Sequence, residues 1–104
     1  MLPESEFEFR REKLQKVLRY ALIDLQTLVR LGSIDQLRAL LSTIELIPEY
    51  MTERRERDYE ATLGGLDEYA ERFGGTAERL ARVAALDEET FHAEYRSADS
   101  LQPV

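Results

Sequence analysis

A single histidine beside two glutamates is the first group in this chain that could do chemistry. Glu88 and Glu89 precede His92, so Glu89-x-x-His92 has the spacing of a ligand pair in carboxylate-bridged di-metal proteins. Such sites need a second pair and further glutamates on facing helices, which a single chain of this kind supplies only by pairing with another copy. A surface histidine among acids is the simpler interpretation, and we expect no metal and no cofactor.

The remaining residues offer no recognisable catalytic motif. The chain has no cysteine, which excludes disulfides, thiolate zinc sites and cysteine nucleophiles. No serine or threonine has a plausible histidine base nearby in sequence, and Gly64-Gly65 and Gly74-Gly75 lack the lysine that follows a phosphate-binding glycine loop. We therefore expect a protein that is not an enzyme, although carboxylates from distant positions could still meet in the fold.

The segment over 66–83 resembles a DNA-binding helix-turn-helix. Ala70 stands on the first helix where bulk would clash, Gly74 stands in the turn, and Leu80 and Val83 are the anchors of the second helix. The resemblance covers about a fifth of the chain. It implies a DNA-binding transcriptional regulator with the motif over 66–86, which is our alternative hypothesis for the function.

The same resemblance implies a recognition helix over 77–86 that turns Arg79 and Arg82 toward DNA. Two positions depart from the pattern: Gly75, where an apolar anchor is usual, and Glu78, whose carboxylate would face phosphates. Two core helices joined by a glycine turn explain the same residues, and this is the interpretation we adopt.

The net charge of −7 is unevenly distributed. Residues 1–47 carry seven acidic and seven basic side chains, whereas residues 49–96 carry thirteen acidic and seven basic ones. An acidic second half argues against a nucleic-acid or anionic-membrane partner. The basic run of the first half has no interleaved aromatics and is expected to neutralise acids of the protein itself; it consists of Arg10, Arg11, Lys13, Lys16 and Arg19.

Length and hydropathy predict one small protein domain. No apolar run approaches the roughly 18 to 20 residues that cross a bilayer, and the N-terminus opens with acids instead of a basic region. We expect a soluble cytoplasmic protein, with a helical domain over 1–96 and a flexible tail over 97–104. Because no segment alternates with period two, the predicted fold is all-α: a small helical bundle built on a long N-terminal αα-hairpin with three or four shorter helices.

The two helices of the hairpin are bounded by capping signals. Ser5 with Glu8 predicts a capping box at the start of the first helix, and Gly32 predicts its end. Ser33 with Gln36 predicts a second capping box. The inward stripe of the first helix is Leu14, Leu18, Ala21, Leu25 and Leu28, widened by Val17, Leu22 and Val29, and that of the second is Leu37, Leu40, Leu41, Ile44 and Ile47.

Beyond the hairpin, glycine and proline set the predicted boundaries. Pro48 either kinks a continuous helix or starts a new one in its first turn. A solvated helix over 49–63 should break at Gly64-Gly65, a short helix should break at Gly74-Gly75, and Asp87 should cap a last helix to about Arg96.

A second apolar strip on the first helix gives the functional prediction. Tyr20, Ile23 and Leu31 lie around Thr27, opposite the main stripe, where a helix with one neighbour should be polar. An exposed apolar strip on a small domain is usually covered by something. We therefore predict a non-catalytic protein–protein interaction module, an adaptor or small regulator, that binds a protein partner and self-associates as a homodimer through these three residues.

Overall fold

A computed structural model describes residues 2–96, and within them every regular element is a helix. The all-α prediction is confirmed, whereas the predicted tail over 97–104 lies outside the described residues. The elements are α1 (Glu4–Leu31), α2 (Ile34–Ile44), α3 (Leu46–Glu53), α4 (Glu56–Phe73), α5 (Thr76–Ala85) and α6 (Glu88–Phe91), the last continued by a π-helical turn (His92–Arg96).

Four of these helices form a ring around the core. α1 packs against α2 and α5, and α4 packs against the same two helices on the opposite side. The short α3 lies against α4. The centre of the ring is filled by aliphatic side chains with no exposed surface, which are Leu14, Val17, Leu40, Ile47, Leu66, Leu80 and Val83.

The start of α1 differs from the predicted capping box, whereas its end is confirmed. The helix begins at Glu4, two residues before the start that a Ser5 cap implies, and Pro3 precedes it without any side-chain cap. Gly32 has a φ of 71°, and the Ser33 amide donates to the carbonyl of Leu28, which is the hydrogen bond of a Schellman motif. Glycine suits this left-handed position because it has no Cβ.

The turn into α2 brings a second capping prediction that is wrong. Ser33 precedes the helix but accepts no hydrogen bond through its side chain. Its predicted partner Gln36 instead donates to the Tyr69 hydroxyl on α4, at 3.1 Å. Gln36 thus links α2 to α4 instead of forming the predicted capping box with Ser33.

Pro48 stands in the first turn of α3, so the second of the two alternatives is correct. α2 ends at Ile44, and Glu45 alone separates it from α3 while keeping helical dihedral angles. A proline at this place costs little, because the amides of the first turn have no partner inside their own helix.

The boundaries of α4 are the largest error of the sequence analysis. The chain breaks before it, where Arg54 adopts a left-handed φ of 58°, and then runs as one helix through Gly64 and Gly65. Each glycine in a helix interior costs about 1 kcal/mol of stability, and the packing of α4 against its neighbours more than offsets this cost here. A Cβ on Gly65 would lie 3.4 Å from Cγ2 of Thr43, so the small residue lets α4 approach α2 closely.

The C-terminal helices follow the predicted boundaries. Gly74 and Gly75 both have positive φ values between α4 and α5, and Leu80 and Val83 of α5 point into the core. Oδ1 of Asp87 accepts a hydrogen bond from the Thr90 amide at 2.8 Å, which is the predicted cap of the last helix.

Candidate functional site

The N-terminal end of α1 holds a group of buried aromatic and charged side chains. The guanidinium of Arg10 lies 3.9 Å from the ring centroid of Tyr59, and its Nη1 donates to Glu56 at 2.8 Å and to the Tyr50 hydroxyl at 3.3 Å. Phe7 packs against Tyr50 with ring centroids 5.7 Å apart. These contacts join α1 to α3 and α4, and they show that the predicted solvated helix over 49–63 is in fact partly core.

Lys13 is a strongly perturbed titratable group of the same region. Its side chain is only 3% exposed, and its Nζ donates to the carbonyl of Leu86 at 3.2 Å, where α5 ends. The Phe9 ring centroid lies 4.7 Å from Nζ. Burial, and then the charge of Arg10, lower the pKa of Lys13 to about 8.

An amine that titrates near neutral pH is the kind of group that can act as a nucleophile. The Nζ atom of Lys13, however, donates a hydrogen bond to a carbonyl and is enclosed by the Phe9 and Tyr59 rings, so it is not open to a substrate. What the geometry provides is a cation at the C-terminus of α5, where helix carbonyls favour positive charge. Lys13 therefore holds α1 against α5 and the segment after it.

His92 is part of an aromatic contact at the surface. Its ring lies 6.1 Å from Phe9 and 5.8 Å from Phe91, measured between centroids, and its Nε2 is 3.9 Å from a carboxylate oxygen of Glu12. Glu89, its predicted companion, is exposed. Within residues 2–96 no three histidine, aspartate or glutamate side chains stand close enough together to hold a metal ion.

The two arginines of the helix-turn-helix resemblance are both directed at carboxylates of this chain. Arg79 Nη2 lies 3.3 Å from Oδ1 of Asp24 on α1, and Asp24 is buried. Arg82 contacts Glu94 at 3.2 Å and the hydroxyl of Tyr95 at 3.2 Å. The segment does fold as two helices about a glycine turn, with its cationic side chains engaged inside the molecule.

The predicted partner-binding strip is divided between two environments. Tyr20 is half-buried beneath the Arg79 guanidinium, which lies 4.1 Å from its ring centroid, and the Tyr95 ring is 6.5 Å away. Ile23 and Leu31 are exposed, at 55% and 72%. The structure therefore covers one residue of the strip from within the chain and leaves the other two accessible.

Exposed large apolar side chains are concentrated on the α1–α2 hairpin. Six large hydrophobic residues of the described chain are between 47% and 72% exposed, and all lie between positions 22 and 41 of this hairpin. They are Leu22, Ile23, Val29, Leu31, Ile34 and Leu41. Helical periodicity places Leu22, Val29 and Leu41 in inward stripes, and the structure shows that this prediction is wrong for all three.

Four of the six form one surface, which we call the hairpin patch: Leu22, Val29, Ile34 and Leu41. On α1, a turn of about 100° per residue places Leu22 and Val29 beside the half-buried Leu18 and Leu25. The opposite edge of the α1 core face is the one that meets α5, because Asp24 there contacts Arg79. Leu22 and Val29 thus lie on the α2 side of α1.

Ile34 and Leu41, the other two residues of the hairpin patch, lie on the edge of α2 that is turned away from α4. Gln36 and Thr43 mark the side of α2 that meets α4, through Tyr69 and Gly65. Ile34 and Leu41 lie on the other edge of α2, the edge next to α1. Both pairs therefore flank the outer groove between the two hairpin helices, away from the ring core.

A polar groove lies on the other side of α2. It has a volume of about 380 Å³ between α2 and α4 and is wide open to solvent. Its charged residues are balanced, with Asp35 and Glu68 opposite in sign to Arg38 and Arg72. Most small-molecule pockets are enclosed and largely apolar, and this groove is neither.

One signal in the sequence pointed to the hairpin patch. Leu22 and Val17 lie about 140° apart around α1, which is wider than the stripe of roughly 100° that one flank of a globular core requires. The width of the apolar stripe does not determine which of its two edges stays exposed. That depends on where α5 packs, and the α5 contact is a long-range one.

None of the helices in the described part of the chain is long and apolar enough to cross a membrane. Comparison of the chain with known protein families, with curated proteins and with solved structures finds no match.

Proposed function

We propose that this protein is a non-catalytic helical interaction module, an adaptor or small regulator that binds other proteins through the end of the α1–α2 hairpin. One observation carries the proposal: the six large exposed apolar side chains all lie there. Scattered exposed hydrophobic residues are normal on soluble proteins, whereas a concentrated apolar surface usually marks an interaction site.

The character of the other candidate groups supports this proposal. Lys13 and Arg79, which a catalytic or nucleic-acid role would use, contact Leu86 and Asp24 and so hold α1 against other parts of the fold. The charged groups of both side chains are thus bound by other parts of the chain. The hairpin end is the region whose side chains are available to a partner.

The test is capture of partner proteins by the tagged full chain in an extract of its native host. Val29→Glu places a charge in the hairpin patch at a position that is 64% exposed, so the fold should tolerate it. Ala61→Glu makes the same change at an exposed alanine on α4 and serves as the matched control. We expect Val29→Glu to lose the captured proteins and Ala61→Glu to keep them.

Self-association counts as binding in this test, so the tagged chain is also assayed against an untagged copy of itself. Equal capture by wild type and Val29→Glu would contradict the proposal. So would a wild-type chain that captures neither a host protein nor its own copy, because the apolar hairpin end would then be exposed without a partner.

A further inference from the structure

The charges around Leu41 suggest which partner the hairpin patch fits. Arg38 precedes Leu41 by three positions and Glu45 follows it by four, so the three positions are neighbours on the surface of α2, where the Arg38 side chain also borders the polar groove between α2 and α4. Arg38 and Glu45 are exposed, and within residues 2–96 neither side chain has an ion pair or hydrogen bond. An apolar residue is thus flanked by one positive and one negative side chain, each available to a partner.

The charges of such an arrangement are complementary to those of a second, antiparallel copy of the same arrangement. We propose that the hairpin patch binds a second copy of this chain, with the two α2 helices antiparallel about a twofold axis near Leu41. In that register Arg38 of each copy lies opposite the partner's Glu45, and Leu41 meets the partner's Leu41. A twofold contact uses the same surface on both copies, so a single pair of residue positions supplies two ion pairs.

The charges also disfavour the nearest competing register. If α2 slid so that Ile34 lay opposite the partner's Leu41, Arg38 would face the partner's Arg38. Juxtaposed like charges at an interface reduce affinity and so select against that alignment. The register about Leu41 replaces this repulsion with two attractions.

The overall charge of the hairpin fits a second copy. Residues 19–45 carry three basic and three acidic side chains. Two chains of net charge −7 can therefore meet at the hairpin without their acidic second halves coming together.

The inference rests on the proposed function and names its partner. It is tested by light scattering and sedimentation velocity of the purified full chain at tens of micromolar. We expect twice the mass of the 12.1 kDa chain for wild type. Arg38→Glu should raise the dimer dissociation constant about tenfold or more, because two attractive pairs become repulsive.

The reciprocal change provides the decisive control. Glu45→Arg alone should weaken the dimer like Arg38→Glu, and the double variant R38E/E45R should return to within about threefold of wild type, because the ion pairs are restored with reversed sign. Both positions are exposed, so folding is not at risk. Leu41→Glu should give a monomer, and Ile23→Glu, exposed but outside the hairpin patch, should leave the dimer intact.

Three results would overturn the inference. One is a wild-type monomer at these concentrations; if such a monomer still captures a host protein through Val29, the proposed function stands and only the second copy is wrong. Another is a double variant no tighter than the single ones. The third is a dimer that Ile23→Glu abolishes and Leu41→Glu leaves intact, which would place the contact on Tyr20, Ile23 and Leu31.

Discussion

The two ends of α1 differ in which kinds of side chain they bury and which they expose. At the N-terminal end charged residues are enclosed, and each has a partner: Arg10 contacts Tyr59 and Glu56, and Lys13 binds a backbone carbonyl. At the other end aliphatic residues such as Val29 are exposed to solvent. Polarity alone therefore does not decide burial in this fold.

The physical reason is the availability of neighbours. α3, α4 and the segment after α5 all reach the N-terminal end of α1, so even a cation finds a carbonyl or a ring there. The hairpin end is covered on one side only. Aliphatic side chains without a neighbour inside the chain are the reason for expecting one outside it.

Shortening one leucine in each region should give very different losses of stability. Leu14→Ala, at a residue with no exposed surface, should lower the free energy of unfolding by about 2–5 kcal/mol. Leu41→Ala, at a residue 47% exposed, should cost the isolated chain less than about 1 kcal/mol. Urea denaturation at low micromolar concentration measures both, and similar losses at the two sites would show that Leu41 belongs to the core.

The second prediction concerns the pH dependence of stability, which should arise from the enclosed end. The folded-state pKa of Lys13 is lowered from 10.5 to about 8, so folding favours the neutral amine. The stabilising effect of that neutral form is present above pH 10.5 and is lost as pH falls toward 8. The free energy of unfolding should therefore rise with pH over this window, by about 2 kcal/mol between pH 8 and 10.

Neighbouring groups limit the window of that effect. Burial raises the pKa of Tyr59 to about 12, so its contribution is lost as pH rises from 10 to 12 and opposes that of Lys13 there. Glu6 and Asp87 favour the charged amine, and Arg10 disfavours it. Lys13→Met should abolish the rise between pH 8 and 10 in denaturant titrations; a variant with the wild-type slope would assign it to another group.

A smaller effect distinguishes the two arginines of α5. Arg79→Ala removes the partner of buried Asp24, whose pKa burial already raises, and should cost about 1–2 kcal/mol. Arg82→Ala removes an exposed pair with Glu94, which solvent screens, and should lower stability less than Arg79→Ala does. Thermal unfolding measures both changes.

The same two variants test the helix-turn-helix alternative. We expect no specific DNA binding, and therefore no change in weak duplex affinity when Arg79 or Arg82 becomes alanine. Fluorescence anisotropy with duplex DNA at physiological salt is the measurement. A tight, sequence-selective complex that either substitution abolishes would restore the DNA-binding hypothesis.

The smallest expected effect is at His92. Its ring packs on Phe9 and Phe91 without a cluster of ligands among the described residues, so we expect purified protein to carry no stoichiometric iron, manganese or zinc. Elemental analysis by mass spectrometry is the check. Metal near half an equivalent per chain, lost in His92→Ala, would mean that two chains share a site through Glu89 and His92.

The sequence predicted the fold where local signals act alone. Gly32, Gly74 with Gly75, and Asp87 each specify a boundary through the conformation or hydrogen bonds of neighbouring residues, and all three boundaries are confirmed. Gly64 and Gly65 carry the same local signal, yet the helix continues through them because α2 packs there, with Thr43 against Gly65. Long-range packing is what the local pattern does not contain.

The candidate site was predicted less well for the same reason. Helical periodicity located apolar residues on α1, but the edge that remains exposed depends on the contact of α5 through Asp24 and Arg79. That contact covers Tyr20 and leaves Leu22 and Val29 in solvent. The packing of α5 thus leaves Leu22 and Val29 exposed in addition to Ile23 and Leu31 of the predicted strip.

The most direct test of the account is methyl NMR of the full chain across a dilution series from about 500 to 5 μM. If a second copy covers the hairpin patch, methyl resonances of Leu22, Ile34 and Leu41 should shift together with concentration. Those of Leu14 and Ile47, which are fully buried, should stay constant. Shifts at none of the hairpin methyls over this range, in a chain that light scattering shows to be monomeric, would contradict the self-association at the centre of this account.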